Sequence, residues 1–485
     1  MFKPAPFLVA FALLPLAACS ATSAQQGPAS TAQAVVAQET APARAKNVIL
    51  FIGDGMGIST ITAARIYAGQ KRGETGEENV LSFERFENVA LVKTYNTDAQ
   101  VPDSAGTATA MHSGVKTRIG VIGVGPDTTR GDCASAVANP LPLIGEEAKR
   151  RGLAVGIVST ARLTHATPAA VYARSADRNW EADSAMPAEQ REAGCTDIAS
   201  QLVASDFDVA LGGGRGGFFG NTRQGRRADA EADLPAQWVA RTGGSYVETR
   251  SQLTAAPADR PVLGLFSPSH MTYMPDREAD STEPTLTEMT QAAITRLSAN
   301  DEGYYLMVES GRIDHAHHGS QAGYALEETV EFANAIQQAI DTTNRDETLI
   351  LVTADHSHVF TIAGYPRRGN DILGLVVPPS GGGEDDDGGA PDSPTLAGDG
   401  KPYTTLGYAN GPGAVSGERA VPETGLSAIQ QSLVPLGSET HAGEDVALYG
   451  RGPGADGVRG VMEQNRIYDI MRRSFGWDEE EEAAQ

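Results

Sequence analysis

The chain has 485 residues, enough for one large α/β domain or two of ordinary size, and 40% of them are apolar, enough for a sizeable core. Lys and Arg number 38 against 62 Asp and Glu, a formal charge of -24, which argues against nucleic-acid or anionic-membrane binding by bulk charge. The same field opposes the approach of a phosphate anion, so a phosphate enzyme of this composition needs local positive charge, most simply metal ions.

Residues 1–19 read as an export signal peptide. Lys3 supplies the positive start, Pro6 to Leu16 is nearly all apolar, small residues follow, and the run is too short for a membrane span. Leu16-Ala17-Ala18-Cys19 resembles a bacterial lipobox, in which Cys19 becomes the lipidated first residue. The other reading is ordinary cleavage between Ala21 and Ala24, with Cys19 discarded. The expected location is periplasmic or, with a lipid anchor, the outer membrane; secretion is the alternative. Residues 20–44 are rich in Ala, Gln, Ser and Thr without an apolar period and read as a flexible tether.

A single domain is expected over 45–472. Val48 to Ile52 reads as a strand, followed by a Gly-rich turn and a helix over Ile58 to Tyr67. Pro142 to Arg151 reads as helix and Ala154 to Val158 as strand; Val209 to Leu211, Tyr305 to Val308 and Leu349 to Val352 are further short apolar runs. Runs of this length spaced by helices predict an α/β fold with a central, mostly parallel sheet covered by helices on both faces. An irregular insertion is expected near 375–425, its glycine- and acid-rich part at 378–402 forming an exposed loop. Residues 473–485 read as an acidic tail. Beyond Cys19 the cysteines are Cys133 and Cys195, which after export form one disulfide or remain two buried thiols.

The polar residues follow the strands. Asp54 comes just after the first strand, Glu309 ends another, and Asp355 with His356 follows a third. Open α/β sheets bind ligands beyond the carboxyl ends of their strands, so acids distant in sequence can converge at one edge. In Glu309-Ser-Gly-Arg-Ile-Asp314-His315-Ala-His-His318, Asp314 and His318 are spaced to share a helix face, an arrangement that suits zinc. In Thr353-Ala-Asp355-His356-Ser-His358 the adjacent acid and imidazole can both ligate, and His358 is either a third ligand or a donor to a metal-bound carboxylate. Glu439-Thr-His441 adds an isolated histidine that would more often be structural. Val101-Pro102-Asp103-Ser104 opens a small-residue helix; Ser104 either caps it or sits where backbone N–H groups receive a phosphoryl group.

Together, Val-Pro-Asp-Ser-Ala-Gly-Thr-Ala-Thr-Ala, Glu-Ser-Gly-Arg-Ile-Asp-His-Ala-His-His, Val-Thr-Ala-Asp-His-Ser-His-Val-Phe and Glu-Thr-His-Ala-Gly-Glu-Asp-Val-Ala resemble the motifs of the alkaline phosphatase family, and its animal-type members more than the enterobacterial type. The resemblance runs in order from about Lys46 to about Ile470. It implies hydrolysis of small phosphate monoesters by a homodimer holding two zinc ions and one magnesium ion per subunit. Asp314, His318 and His441 would hold one zinc, and Asp54, Asp355 and His356 the other. Asp54, Thr167 and Glu309 would hold magnesium. Ser104 matches the nucleophile and Arg178 the phosphate clamp, while His165 and His315 match positions behind the metal ligands. Cys133 and Cys195 fall where the family has a disulfide. The calcium of animal members is in doubt, because Ser267 follows Leu265-Phe266 where they have a glutamate, although Glu283 matches another calcium ligand. Two alternatives are a phosphodiesterase or related hydrolase of the same metal superfamily, and a non-catalytic phosphate- or metal-binding lipoprotein. The first usually lacks an arginine matching Arg178, and the second leaves Ser104 unexplained.

Overall fold

The computed structural model describes residues 44–380 and 392–478. The signal peptide, Cys19, the tether, the middle of the 378–402 loop and the acidic run after Asp478 lie outside the described residues. Among the described residues no helix is long and apolar enough to cross a membrane.

In chain order the strands are β1 Asn47–Gly53, β2 Asn88–Lys93, β3 Ala154–Arg162, β4 Val209–Gly213, β5 Ser245–Val247, β6 Val262–Leu265, β7 Tyr304–Ser310 and β8 Thr348–Ala354. They continue with β9 Ser357–His358, β10 Phe360–Ile362, β11 Leu406–Gly411, β12 Ser432–Pro435, β13 His441–Ala442, β14 Val446–Arg451 and β15 Gly460–Glu463. Ten of them form one sheet in the order β15-β2-β14-β8-β1-β7-β3-β4-β6-β5. Its pairs are parallel except those of β14, which runs antiparallel to both β2 and β8. The central strands read as continuous apolar runs because both their faces are covered: all of β7 and β8, and β1 from Val48 onward, are buried.

The register aligns the strand ends. Ile52 of β1 lies opposite Glu309 of β7 and Thr353 of β8, and Gly53 opposite Ser310 and Ala354. Asp54 and Asp355 therefore leave adjacent strands at the same level, with Glu309 alongside. β1 ends because Gly55 turns the chain at φ +68°, and a Cβ there would strike the His358 ring.

The region near 375–425 is less irregular than its composition predicts. Leu406–Gly411 is a strand, pairing with β10 on one side and β12 on the other; its short Leu-Gly-Tyr-Ala-Asn-Gly run carries little β propensity and needs those neighbours. At the C-terminus the last helix, Arg466–Phe475, crosses the expected boundary at 472, and Trp477 is buried with its ring stacked on Phe475. Cys133 and Cys195 form a disulfide, with Cα atoms 5.7 Å apart.

Candidate metal centre and phosphate site

The helix Ser104–Ser113 begins where Asp103 caps it, one carboxylate oxygen accepting from Gly106 N at 3.1 Å. It ends at Gly114, which adopts φ +75°. Its Ala, Gly and Thr side chains are small enough for every residue of the helix to be buried. Its first residue, Ser104, points at the strand ends. Ser104 Oγ lies 3.2 Å from His356 Nε2 and 3.5 Å from Asp54 Oδ1.

Two groups of donors converge beside it. In one, His441 Nε2 is 3.2 Å from His318 Nε2, and each is 3.3 Å from Asp314 Oδ1. Both rings turn Nδ1 to a backbone carbonyl, His318 to Glu439 O at 2.6 Å and His441 to Pro102 O at 2.8 Å. With their Nδ1 protons donated there, both Nε2 atoms present lone pairs, so three acceptors face one another and call for a cation. In the other group His356 Nε2 is 3.3 Å from Asp54 Oδ1 and 3.3 Å from Asp355 Oδ2. Ligands about 2.0–2.1 Å from a tetrahedral zinc are separated by about 3.3 Å, so both groups fit zinc. A third place has different donors: Asp54 Oδ2, Thr167 Oγ1 and Glu309 Oε1 are buried and have no hydrogen-bond partner. An all-oxygen set of this kind suits a hard cation such as magnesium.

The electrostatics agree. Burial, then the charges of Asp355, Asp314 and Glu309, hold the Asp54 carboxyl well above its usual range. Burial pushes Glu309 up to about 7. Burial would also raise Asp314, but the surrounding His318, His358 and His441 bring it well below the usual range. Buried carboxylates packed this closely need countercharge.

His358 bridges two acids. Its Nε2 is 3.0 Å from Asp314 Oδ1 and its Nδ1 2.6 Å from Glu439 Oε2. Of the two roles open to it, this geometry favours donor to a carboxylate. His165 Nε2 lies 3.2 Å from Arg178 Nη2, and His315 sits behind it, ring centroids 5.5 Å apart. Their Nδ1 atoms are buried without partners. A pocket of about 310 Å³ opens over this centre, with Ser104, Arg178, His318 and His441 in its lining.

The site also uses residues that sequence reasoning passed over. Asp103 read only as a helix-start signal, yet its second oxygen accepts from Arg178 Nη1 at 3.0 Å. Thr107 Oγ1 donates to Asp355 Oδ2 at 3.3 Å, and its place one turn along the Ser104 helix was the available signal. Arg162 forms a two-pronged pair with Glu181 in the pocket wall, and His270, which bonds Arg162, packs at a tilt against His315, ring centroids 3.9 Å apart; isolated in sequence, these carried no signal. The two positions weighed for calcium are occupied by protein partners. Ser267 Oγ donates to Ser269 O, and Glu283 accepts from Thr272 N and Oγ1 with Arg277 at 3.7 Å.

A parallel sheet whose carboxyl edge gathers a helix-start serine, an arginine and three cation-binding donor sets defines a metal-dependent hydrolase of the phosphoryl-transfer type. The alkaline phosphatase family model matches residues 45–476. The chain is 46% identical over 452 residues to the tissue-nonspecific alkaline phosphatase isozyme of Gallus gallus, covering 88% of this chain and 84% of that one. It is 45% identical over 453 residues to the Homo sapiens isozyme, covering 88% and 83%. Among solved structures, Thermus thermophilus alkaline phosphatase superposes with a TM-score of 0.65 at 25% identity, covering 90% of this chain and 93% of that one. The chain belongs to the alkaline phosphatase family, whose members are metal-dependent phosphoric monoester hydrolases.

Proposed function

We propose that the protein hydrolyses small phosphate monoesters to an alcohol and inorganic phosphate through a phosphoserine on Ser104. The observation that carries this reading is the position of Ser104 Oγ, 3.2 Å from His356 Nε2 at the start of a wholly buried helix. Asp314, His318 and His441 would hold one zinc, Asp54, Asp355 and His356 a second, and Asp54, Thr167 and Glu309 a magnesium. Bound there, the ions supply countercharge to the buried carboxylates and Lewis acidity toward the phosphate oxygens and the two nucleophiles.

Ser104 Oγ attacks phosphorus and loses its hydroxyl proton to solvent, while the ester P–O bond breaks on the opposite side and the departing oxygen takes a proton from solvent to leave as the alcohol. Water then attacks the same phosphorus and loses a proton, the P–Oγ bond breaks, and Ser104 Oγ takes a proton back, releasing inorganic phosphate. Gly106 N of the Ser104 helix is taken by the Asp103 cap, and the remaining positive N-terminal end of the helix favours the phosphoryl oxygens. Arg178 grips two of them, its planar fork held by Asp103 on one side and by His165 on the other. His165 brings a ring nitrogen within 4.8 Å of the Asp54 and Glu309 oxygens, and His315 packs against its ring.

Several further features belong to the same proposal. The protein is exported to the periplasm or anchored through lipidated Cys19, with secretion as the alternative, and works as a homodimer. The disulfide supports an oxidising compartment. Intact-mass measurement of exported protein and light scattering test the anchor and the dimer.

The test of function is turnover of p-nitrophenyl phosphate and of its bis-ester, before and after chelation, with metal content measured in parallel. The expected result is monoester hydrolysis that chelation removes and zinc with magnesium restores. Preference for the diester, or turnover indifferent to chelation, would overturn the reading.

A further inference from the structure

We infer that Glu439 is a positioning residue that orients all three donors of the Asp314, His318 and His441 group and none of the other zinc group. The inference rests on the metal-binding reading above. Glu439 is 1% exposed, and each of its polar atoms is engaged. Its Oε1 accepts from Val359 N at 2.8 Å and its Oε2 from His358 Nδ1 at 2.6 Å. Its backbone N–H donates to His318 O at 2.9 Å, and its carbonyl accepts from His318 Nδ1 at 2.6 Å.

Each donor is reached by a separate route. His318 is held directly, its proton placed on Nδ1 so that Nε2 faces inward. Asp314 is held through His358, which donates from Nδ1 to Glu439 Oε2 and from Nε2 to Asp314 Oδ1 at 3.0 Å. His441 is held through the backbone: it opens β13, which pairs antiparallel with β9 so that His441 lies opposite His358. The Glu439 carboxylate closes this two-stranded pairing at Val359. Because His441 comes from a segment far from the other two ligands in sequence, it needs such an anchor.

The Asp54, Asp355 and His356 group has its own supports. Asp355 Oδ1 accepts from Gly55 N at 3.0 Å, Asp355 Oδ2 from Thr107 Oγ1 at 3.3 Å, and His356 Nδ1 faces Ser357 O at 3.3 Å. The two groups touch where His356 stacks on His441, ring centroids 3.6 Å apart, but Glu439 bonds into the first group alone, so altering its side chain should act chiefly on one metal of the pair.

Glu439→Gln keeps the side-chain volume and the acceptor for Val359 N, but sets an amide N–H against the donating Nδ1 of His358. Its test uses the zinc- and magnesium-loaded protein, a zinc-binding dye as competitor, and the time course of release. We expect wild type to release its two zincs slowly, and Glu439→Gln to release one of them roughly 10- to 100-fold faster with the other unchanged. In cobalt-substituted protein, the visible absorption of the faster-leaving ion should shift while that of the other stays the same. Glu439→Asp, which keeps the negative charge, should fall between the two and serves if the Gln variant does not fold. Equal acceleration of both ions would mark a general loosening of the fold, and unchanged release would show that Glu439 orients nothing; either overturns the inference. A wild type that retains no zinc would overturn the metal-binding reading itself, and this inference with it.

Discussion

Asp103 holds Arg178 with one carboxylate oxygen, Oδ2 to Nη1 at 3.0 Å, while its other oxygen caps the helix that Ser104 begins. One side chain thus sets both the nucleophile's helix and the arginine's orientation. Oδ2 also accepts from Gly120 N at 3.0 Å, and Oδ1 from Asn96 Nδ2 at 3.0 Å, so the carboxylate has little freedom.

Arg178→Ala should lower kcat/KM for a monoester by roughly one to three powers of ten, the loss expected for charge-assisted bonds to two phosphate oxygens. A diester, with one oxygen blocked, should lose much less. Arg178→Lys should recover only part, because an ammonium lacks the planar fork. Asp103→Ala should cost part of the same activity, and the double variant with Arg178→Ala less than the sum of the two losses. Equal losses on both esters would make Arg178 a structural residue rather than a phosphate clamp, and strict additivity would show that Asp103 does not act through Arg178.

Ser104→Ala should reduce kcat by several orders of magnitude while zinc content stays at the wild-type level. Acid quenching during turnover should label Ser104 in wild type and nothing in the variant. A phosphoryl label on any other residue would remove Ser104 from the role of nucleophile.

The Cys133–Cys195 bond closes a sequence separation of 62 residues that contains Thr167 and Arg178. By chain entropy, replacing both cysteines with serine should cost about 4 kcal/mol of stability. Denaturant unfolding reads the loss. Activity at moderate temperature should change little, because neither cysteine lines the pocket.

His112 is fully buried in the Ser104 helix, with Nδ1 facing Ala108 O at 2.8 Å and Nε2 without a partner. Burial lowers its pKa from 6.5 to about 4. Between these values the unfolded chain binds the proton and the folded chain does not, so stability falls as pH drops from 6.5 toward 4. The slope approaches roughly 1.4 kcal/mol per pH unit, and the total roughly 3 kcal/mol. His112→Gln should remove this part of the acid dependence. A variant with the wild-type slope between pH 6.5 and 4 would show that the ring is protonated in the fold.

The apolar runs of β1, β3, β7 and β8 were legible because hydrophobic patterning is a local property, and the helix read over Ile58 to Tyr67 is present and continues to Lys71. The residue types in the three acid and histidine motifs pointed to metal chemistry before any contact was known, since few other roles need so many buried carboxylates and imidazoles near strand ends. The antiparallel course of β14 and the strand at Leu406–Gly411 were not legible, because both depend on which distant segment supplies the hydrogen-bonding partner.

The same division runs through the site. Motif chemistry and spacing were enough to single out Ser104 and the acids and histidines near the strand ends as candidates, whereas Arg178 and Thr167 came only from the resemblance to the family. They left His358 open between ligand and donor, and gave no sign that Asp103 reaches Arg178 or that Glu439 orients His318 and His358. Those assignments turn on which polar atoms are buried together. A buried donor or acceptor has to be satisfied by whatever the fold brings within about 3 Å, and that neighbour is set by packing across the whole sheet rather than by adjacent sequence.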